Sequence, residues 1–160
     1  MPDGNISFSF GHFLVFTDDM DGTVKWYGDV LGMKPGPMPD FQVPVTWLYL
    51  GDQPLLHVVQ WEDDRGVDEA YVGKVNREVE SGGGRIDHIA FDATGLTDVL
   101  ARLDSLGIDY IERRVDINSR YQLFFHDPNG IKVELDFSAD EAGDRKPPAM
   151  FDELAAEMSS

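Results

Sequence analysis

A chain of 160 residues that is 42% hydrophobic has room for one domain or two small packed modules around a sizeable core, which excludes disorder, collagen and a long coiled coil. Thirteen basic residues against thirty acidic ones leave a formal net charge of -17, so phosphate backbones and anionic lipid headgroups are repelled, and nucleic acid and membrane are excluded as partners. The absence of cysteine rules out disulfides, thiolate ligands and a cysteine nucleophile, leaving His, Asp and Glu as the strong metal-binding groups. No run of about 18 apolar residues is present, and Met1-Pro2-Asp3-Gly4 lacks the basic and apolar regions of a secretion signal; the expectation is a cytoplasmic protein.

In chain order, Phe8 to Phe16 is rich in aromatic and branched residues and predicts a strand. Asp18 and Asp19 then offer caps for a helix with Val24, Tyr27 and Leu31 on one face, stopped at Gly32. A second strand falls within Met33 to Phe41, where Pro35, Pro37 and Pro39 restrict it to an edge strand or a loop. Trp47 to Leu50 and Leu55 to Gln60 predict two further strands. The segment 61–84 is polar, could hold a helix over Val67 to Val79, and ends in a glycine-rich hinge. The scheme then recurs: strand Ile86 to Phe91, a helix with Leu96, Val99, Leu100, Leu103 and Leu106 at helical spacing, Gly107, and strands Tyr110 to Val115, Tyr121 to Phe125 and Ile131 to Phe137. The turn Asp127-Pro128-Asn129-Gly130 separates the last two. An acidic tail, 138–160, ends in a short amphipathic stretch, Phe151 to Met158, read as a packing helix or a cover for a dimer neighbour.

Superposing the halves aligns Leu31-Gly32 with Leu106-Gly107, His12 with His88, and His57 with Glu134, at nearly constant offset. Three landmarks of different kinds imply an internal duplication, with modules at 8–60 and 85–137. Three of the four histidines thus occupy strand positions related by the repeat, and Glu134 holds the fourth. If each half curls its strands into half of a barrel, three imidazoles and one carboxylate meet at one point, a site for a single borderline divalent ion. Each residue alone reads more readily as structural, since Glu134 shares its face with Lys132 and Asp136, and His12 shares its face with Phe10 and Leu14. His126 stands outside the repeat relation and receives no metal role.

Gly11-His12-Phe13-Leu14-Val15, Trp26-Tyr27-Gly28-Asp29-Val30-Leu31-Gly32-Met33, Asp87-His88-Ile89-Ala90-Phe91 and Phe124-Phe125-His126-Asp127-Pro128-Asn129-Gly130-Ile131-Lys132-Val133-Glu134-Leu135 together resemble the vicinal oxygen chelate superfamily of glyoxalase I, fosfomycin resistance proteins, extradiol dioxygenases and bleomycin-binding proteins. The resemblance implies an α+β fold of paired βαβββ modules forming an open, cup-shaped mixed sheet of glyoxalase-like type. It also implies one divalent metal per site (Zn, Ni, Co, Mn or Fe) on His12, His57, His88 and Glu134, and a homodimer in which one metal can draw ligands from two subunits.

The chemistry common to that family is chelation of two vicinal substrate oxygens, with the ion stabilising a developing oxyanion. A glyoxalase-like isomerase or lyase also needs a base, for which Glu134 is the only carboxylate of the four and neutral His57 the alternative. Where glyoxalase I carries a glutamate on the fourth strand this chain has His57, which departs from the glutathione-dependent pattern. An Fe(II) extradiol-type dioxygenase using His12, His88 and Glu134 is the second reading, weakened by Phe124 standing where that signature has tyrosine. A fosfomycin-type activity would bring a phosphonate against Asp136, Asp140, Glu141 and Asp144. The third reading is a metal-free protein that binds a drug or metabolite in a cleft formed by Trp47 and Tyr49, with Phe41 and Trp61 near in sequence. Arg113, Arg114 and Arg120 form the basic cluster of an acidic chain, and Arg113, Arg120, Gln122 and Phe124 join Trp47 and Tyr49 as candidate small-molecule contacts.

Overall fold

The computed structural model describes residues 9–61, 82–83, 86, 88–116 and 119–147. The chain divides into two compact units, Met1–Arg77 and Glu78–Ser160. The helix expected over Val67 to Val79 and the amphipathic stretch Phe151 to Met158 lie outside the described residues.

In the first unit the elements are β1 (Phe13–Thr17), α1 (Met20–Leu31), β2 (Lys34–Pro35), β3 (Val45–Leu50) and β4 (Gln53–Gln60), with sheet order β1-β4-β3-β2. β1 lies parallel to β4, as a strand returned by a crossover must, and the other pairs are antiparallel. Asp19 caps α1, its carboxylate accepting from the Gly22 backbone N–H at 3.0 Å. Gly32, at φ 71°, ends the helix in the left-handed conformation that glycine adopts without steric cost. The buried face of α1 is Thr23, Tyr27 and Val30, one residue away from the predicted Val24 and Leu31. The cause is a polar contact: the Thr23 hydroxyl meets that of Thr17 on β1 at 2.8 Å, so a threonine is buried where periodicity of apolar residues selects valine. The proline-interrupted strand is present but only two residues long, at the sheet edge.

The second unit repeats the plan with β5 (His88–Asp92), α2 (Leu96–Ser105), β6 (Ile111–Val115), β7 (Arg120–His126) and β8 (Lys132–Ser138), followed by a 3₁₀ turn, Ala139–Ala142. Its sheet order, β5-β8-β7-β6, is that of the first unit element for element, again with a parallel first pair. α2 buries Leu96, Leu100 and Leu103, while Leu106, predicted on the same face, lies beyond the last helical residue and is 42% exposed. The Asp127 side chain accepts from the backbone N–H groups of Asn129 and Ile131, both at 2.8 Å, and this turn sets the β7–β8 register, Phe124 opposite Glu134. One face of the sheet carries the buried Val133, Leu135 and Phe137 beside Tyr121, Leu123 and Phe125. Strand alternation sends Glu134, Gln122 and Phe124 to the other.

Candidate functional site

In the first unit His57 on β4 faces Leu14 on β1, two residues after His12. In the second, Glu134 on β8 faces Ala90 on β5, two residues after His88. Trp47 on β3 is the lateral partner of His57, and Phe124 on β7 that of Glu134. The repeat inferred from sequence spacing is therefore also a repeat of hydrogen-bond register, and it puts the four candidate donors at two pairs of equivalent places.

The two pairs are held by different forces. In the first unit the His57 ring lies between two others: His12 stacks on it with centroids 3.8 Å apart and planes at 13°, and Trp47 at 4.1 Å and 8°. Phe41 extends the row, 5.9 Å from Trp47. Burial pushes the His57 imidazole down to about 4, the neighbouring His12 ring pushes the same way, and a hydrogen bond with the Pro54 backbone opposes them. His57 is consequently neutral at physiological pH, the form in which an imidazole binds a cation.

In the second unit the pair is polar. His88 Nε2 lies 2.8 Å from Glu134 Oε2, and Gln122 Nε2 donates to Glu134 Oε1 at 2.7 Å. Gln122 Oε1 in turn accepts from Arg113 Nε at 2.8 Å, and the Arg113 guanidinium lies 5.4 Å from the centre of the Phe124 ring, a cation–π contact. Glu134 and Gln122 are buried, whereas the His88 side chain is 36% exposed. Among the described residues no three His, Asp or Glu side chains gather closely enough to hold a metal ion, so the donors stand as pairs, one pair on each unit.

The other predicted contacts are placed as follows. Tyr49 lies past a shift in register between Leu48 and Tyr49, and its hydroxyl donates to the Pro37 carbonyl, while Gly36 leaves room for its ring. Trp61 packs edge-on against Phe16, with centroids 5.0 Å apart. Of the three arginines, Arg113 and Arg120 lie on the sheet face of Gln122 and Arg114 on the other. Arg113 and Arg114 are successive strand residues and point to opposite faces; Arg114 donates to the Gly143 carbonyl and pairs with Asp116, and Arg120 lies 3.9 Å from Asp92 and 4.0 Å from Asp136. Asp92 was not a sequence candidate, although strand parity already places it on the face of His88. A buried network that sequence reading also missed joins the Tyr121 hydroxyl, donating to Glu112 at 2.8 Å, with Arg145 Nε donating to the same carboxylate.

This architecture and register define the class of protein. The chain belongs to the Glyoxalase/Bleomycin resistance protein/Dioxygenase superfamily, whose family model matches residues 9–135. Among individual relatives, a protein of Arabidopsis thaliana named Glyoxylase I 4 is 26% identical over 130 residues, 79% of this chain and 69% of that protein. A lactoylglutathione lyase from Agrobacterium tumefaciens shares the fold at TM-score 0.60 and 18% identity, covering 82% of this chain and 95% of its own. The fosfomycin resistance protein FosX from Listeria monocytogenes does so at TM-score 0.61 and 12% identity, covering 83% and 95%. No helix among the described residues is long and apolar enough to cross a membrane.

Proposed function

We propose that this protein is a metal-dependent enzyme of its superfamily, an isomerase or lyase that moves a proton next to an oxygen-bearing carbon of a small substrate with vicinal oxygens. The observation that carries the reading is the register equivalence of His12 with His88 and of His57 with Glu134, on sheets of identical strand order. Two imidazoles from one unit and an imidazole and a carboxylate from the other make a donor set suited to Zn, Ni, Co, Mn or Fe. The donors fit such a role: His57 is held neutral, and Glu134 is oriented by Gln122. A bound divalent ion supplies Lewis-acid stabilisation of negative charge developing on a substrate oxygen.

Glu134, through Oε2, is the proton acceptor in this reading, and the neutral imidazole of His57 is the second candidate base. Trp47 and Phe124, flanking the donors at equivalent places, line the sheets for the non-reacting part of the substrate. A cytoplasmic homodimer, with donors taken from one chain or shared between two, belongs to the same proposal.

Elemental analysis of anaerobically purified protein tests it. About one equivalent of metal per chain is expected in the wild type and none in His88→Ala, with circular dichroism unchanged. Tight stoichiometric metal in the variant overturns the ligand assignment. Iron with oxygen uptake on catechols redirects the reading to ring-cleaving dioxygenase, and failure to take up any added metal redirects it to a binding protein.

A further inference from the structure

Both oxygens of Glu134 are engaged by side chains of neighbouring strands, Oε1 by the Gln122 amide and Oε2 by His88. An amide has a donor end and an acceptor end, and which end faces Glu134 is decided by its other neighbour. Arg113 has donors only, so the Gln122 carbonyl must turn to Arg113 Nε and the NH₂ group to Glu134. The reverse orientation would set donor against donor on one side and amide oxygen against carboxylate on the other. Gln122 is 6% exposed, so neither end can exchange its partner for water at low cost. The Arg113 guanidinium is itself steadied over Phe124, the lateral partner of Glu134. The first unit has no counterpart: the place of Gln122 is taken there by Val45, opposite Val59 as Gln122 is opposite Asp136.

Resting on the metal-dependent reading above, the geometry points to Gln122 and Arg113 as positioning residues for Glu134 rather than substrate contacts. Arg113 fixes the orientation of the amide, the amide holds Oε1, and Oε2 is thereby turned to His88 Nε2, 2.8 Å away, on the side of the other candidate donor of its unit. Partners that orient a ligand in this way typically command 10–100-fold in metal affinity, on the order of what deleting the amide should remove here.

Titration of the metal-free full-length protein with Zn²⁺ tests the relay. Gln122→Leu is expected to weaken uptake roughly 10–100-fold and Arg113→Met about 10-fold. Because Arg113 acts through the amide, the double variant should bind no more weakly than Gln122→Leu alone. A second readout needs no metal: the Gln122 side-chain amide protons, displaced from the ordinary glutamine position in the wild-type NMR spectrum, should return towards it in Arg113→Met. Gln122→Met, close in length, removes both ends of the amide without adding charge; it should lose affinity as Gln122→Leu does, and it stands in should the leucine variant not fold. Losses that add in the double variant, or amide protons that do not move in Arg113→Met, overturn the relay while leaving the metal reading intact. Wild-type protein that takes up no Zn²⁺ or other divalent ion overturns the functional reading, and this inference with it.

Discussion

The two units have one topology and hold their donor pairs by opposite means. In the first, His57 is wedged between the rings of His12 and Trp47 and is kept neutral chiefly by burial. In the second, Glu134 is suspended in a row of hydrogen bonds from His88 to Gln122 to Arg113. A duplicated backbone thus preserves where a candidate donor sits, while the lateral neighbours decide how it is held. Stacked rings remove water and favour the uncharged imidazole, whereas the buried carboxylate is met by the Gln122 amide and the His88 ring, the amide being oriented in turn by the Arg113 guanidinium.

That contrast can be broken from either side. The largest effect is expected from removing one donor in each unit: His12→Ala and Glu134→Ala should each lower metal affinity by more than the ~100-fold that an outer partner commands, read by Zn²⁺ titration. A loss confined to one of them would mean that only one unit carries a functional pair. Next, Trp47→Ala should cost about 2 kcal/mol in urea unfolding, below the ~3–5 kcal/mol of a fully buried aromatic because Trp47 is only half-buried. Tyr121→Phe, which deletes the donor to Glu112, should cost about 1–2 kcal/mol at neutral pH.

The same variant carries a pH signature. Burial, with Glu112 adding to it, pushes the Tyr121 hydroxyl up to about 12 against Arg145. The folded state therefore favours the protonated phenol, so its contribution is whole below about pH 10 and declines as pH rises towards 12. Wild-type stability should fall over that window more steeply than that of Tyr121→Phe, and parallel curves would refute the assignment. Smaller still, Lys25→Ala breaks an exposed i, i+4 pair with Asp29 and should change stability by less than about 0.5 kcal/mol.

The strand and helix order was legible from turn residues and apolar runs, and the equivalence in register of His57 with Glu134 from the duplication, because spacing within a repeat survives folding unchanged. The side-chain partners were not. Thr23 lies buried through a hydroxyl pair with Thr17, which a search for apolar periodicity passes over. Arg113 and Arg114 look like one patch in sequence but a period of two divides them between faces, one towards Gln122 and the other towards the Gly143 carbonyl. The Glu112–Arg145 contact joins residues 33 apart, a separation at which no local pattern pairs one charge with another.

The helix starts carry one more difference. α1 is capped by Asp19, adjacent to the helix, but α2 begins at Gly95, which has no side chain to offer, and its Gly95 and Leu96 N–H groups are taken by Glu141, 46 and 45 residues later. During synthesis the first helix can close its end as soon as it leaves the ribosome, while the second waits until strands β6 to β8 and the turn after them have been made. Maturation of the second unit is therefore a late event, and cleavage that removes Glu141 leaves the beginning of α2 without its acceptor.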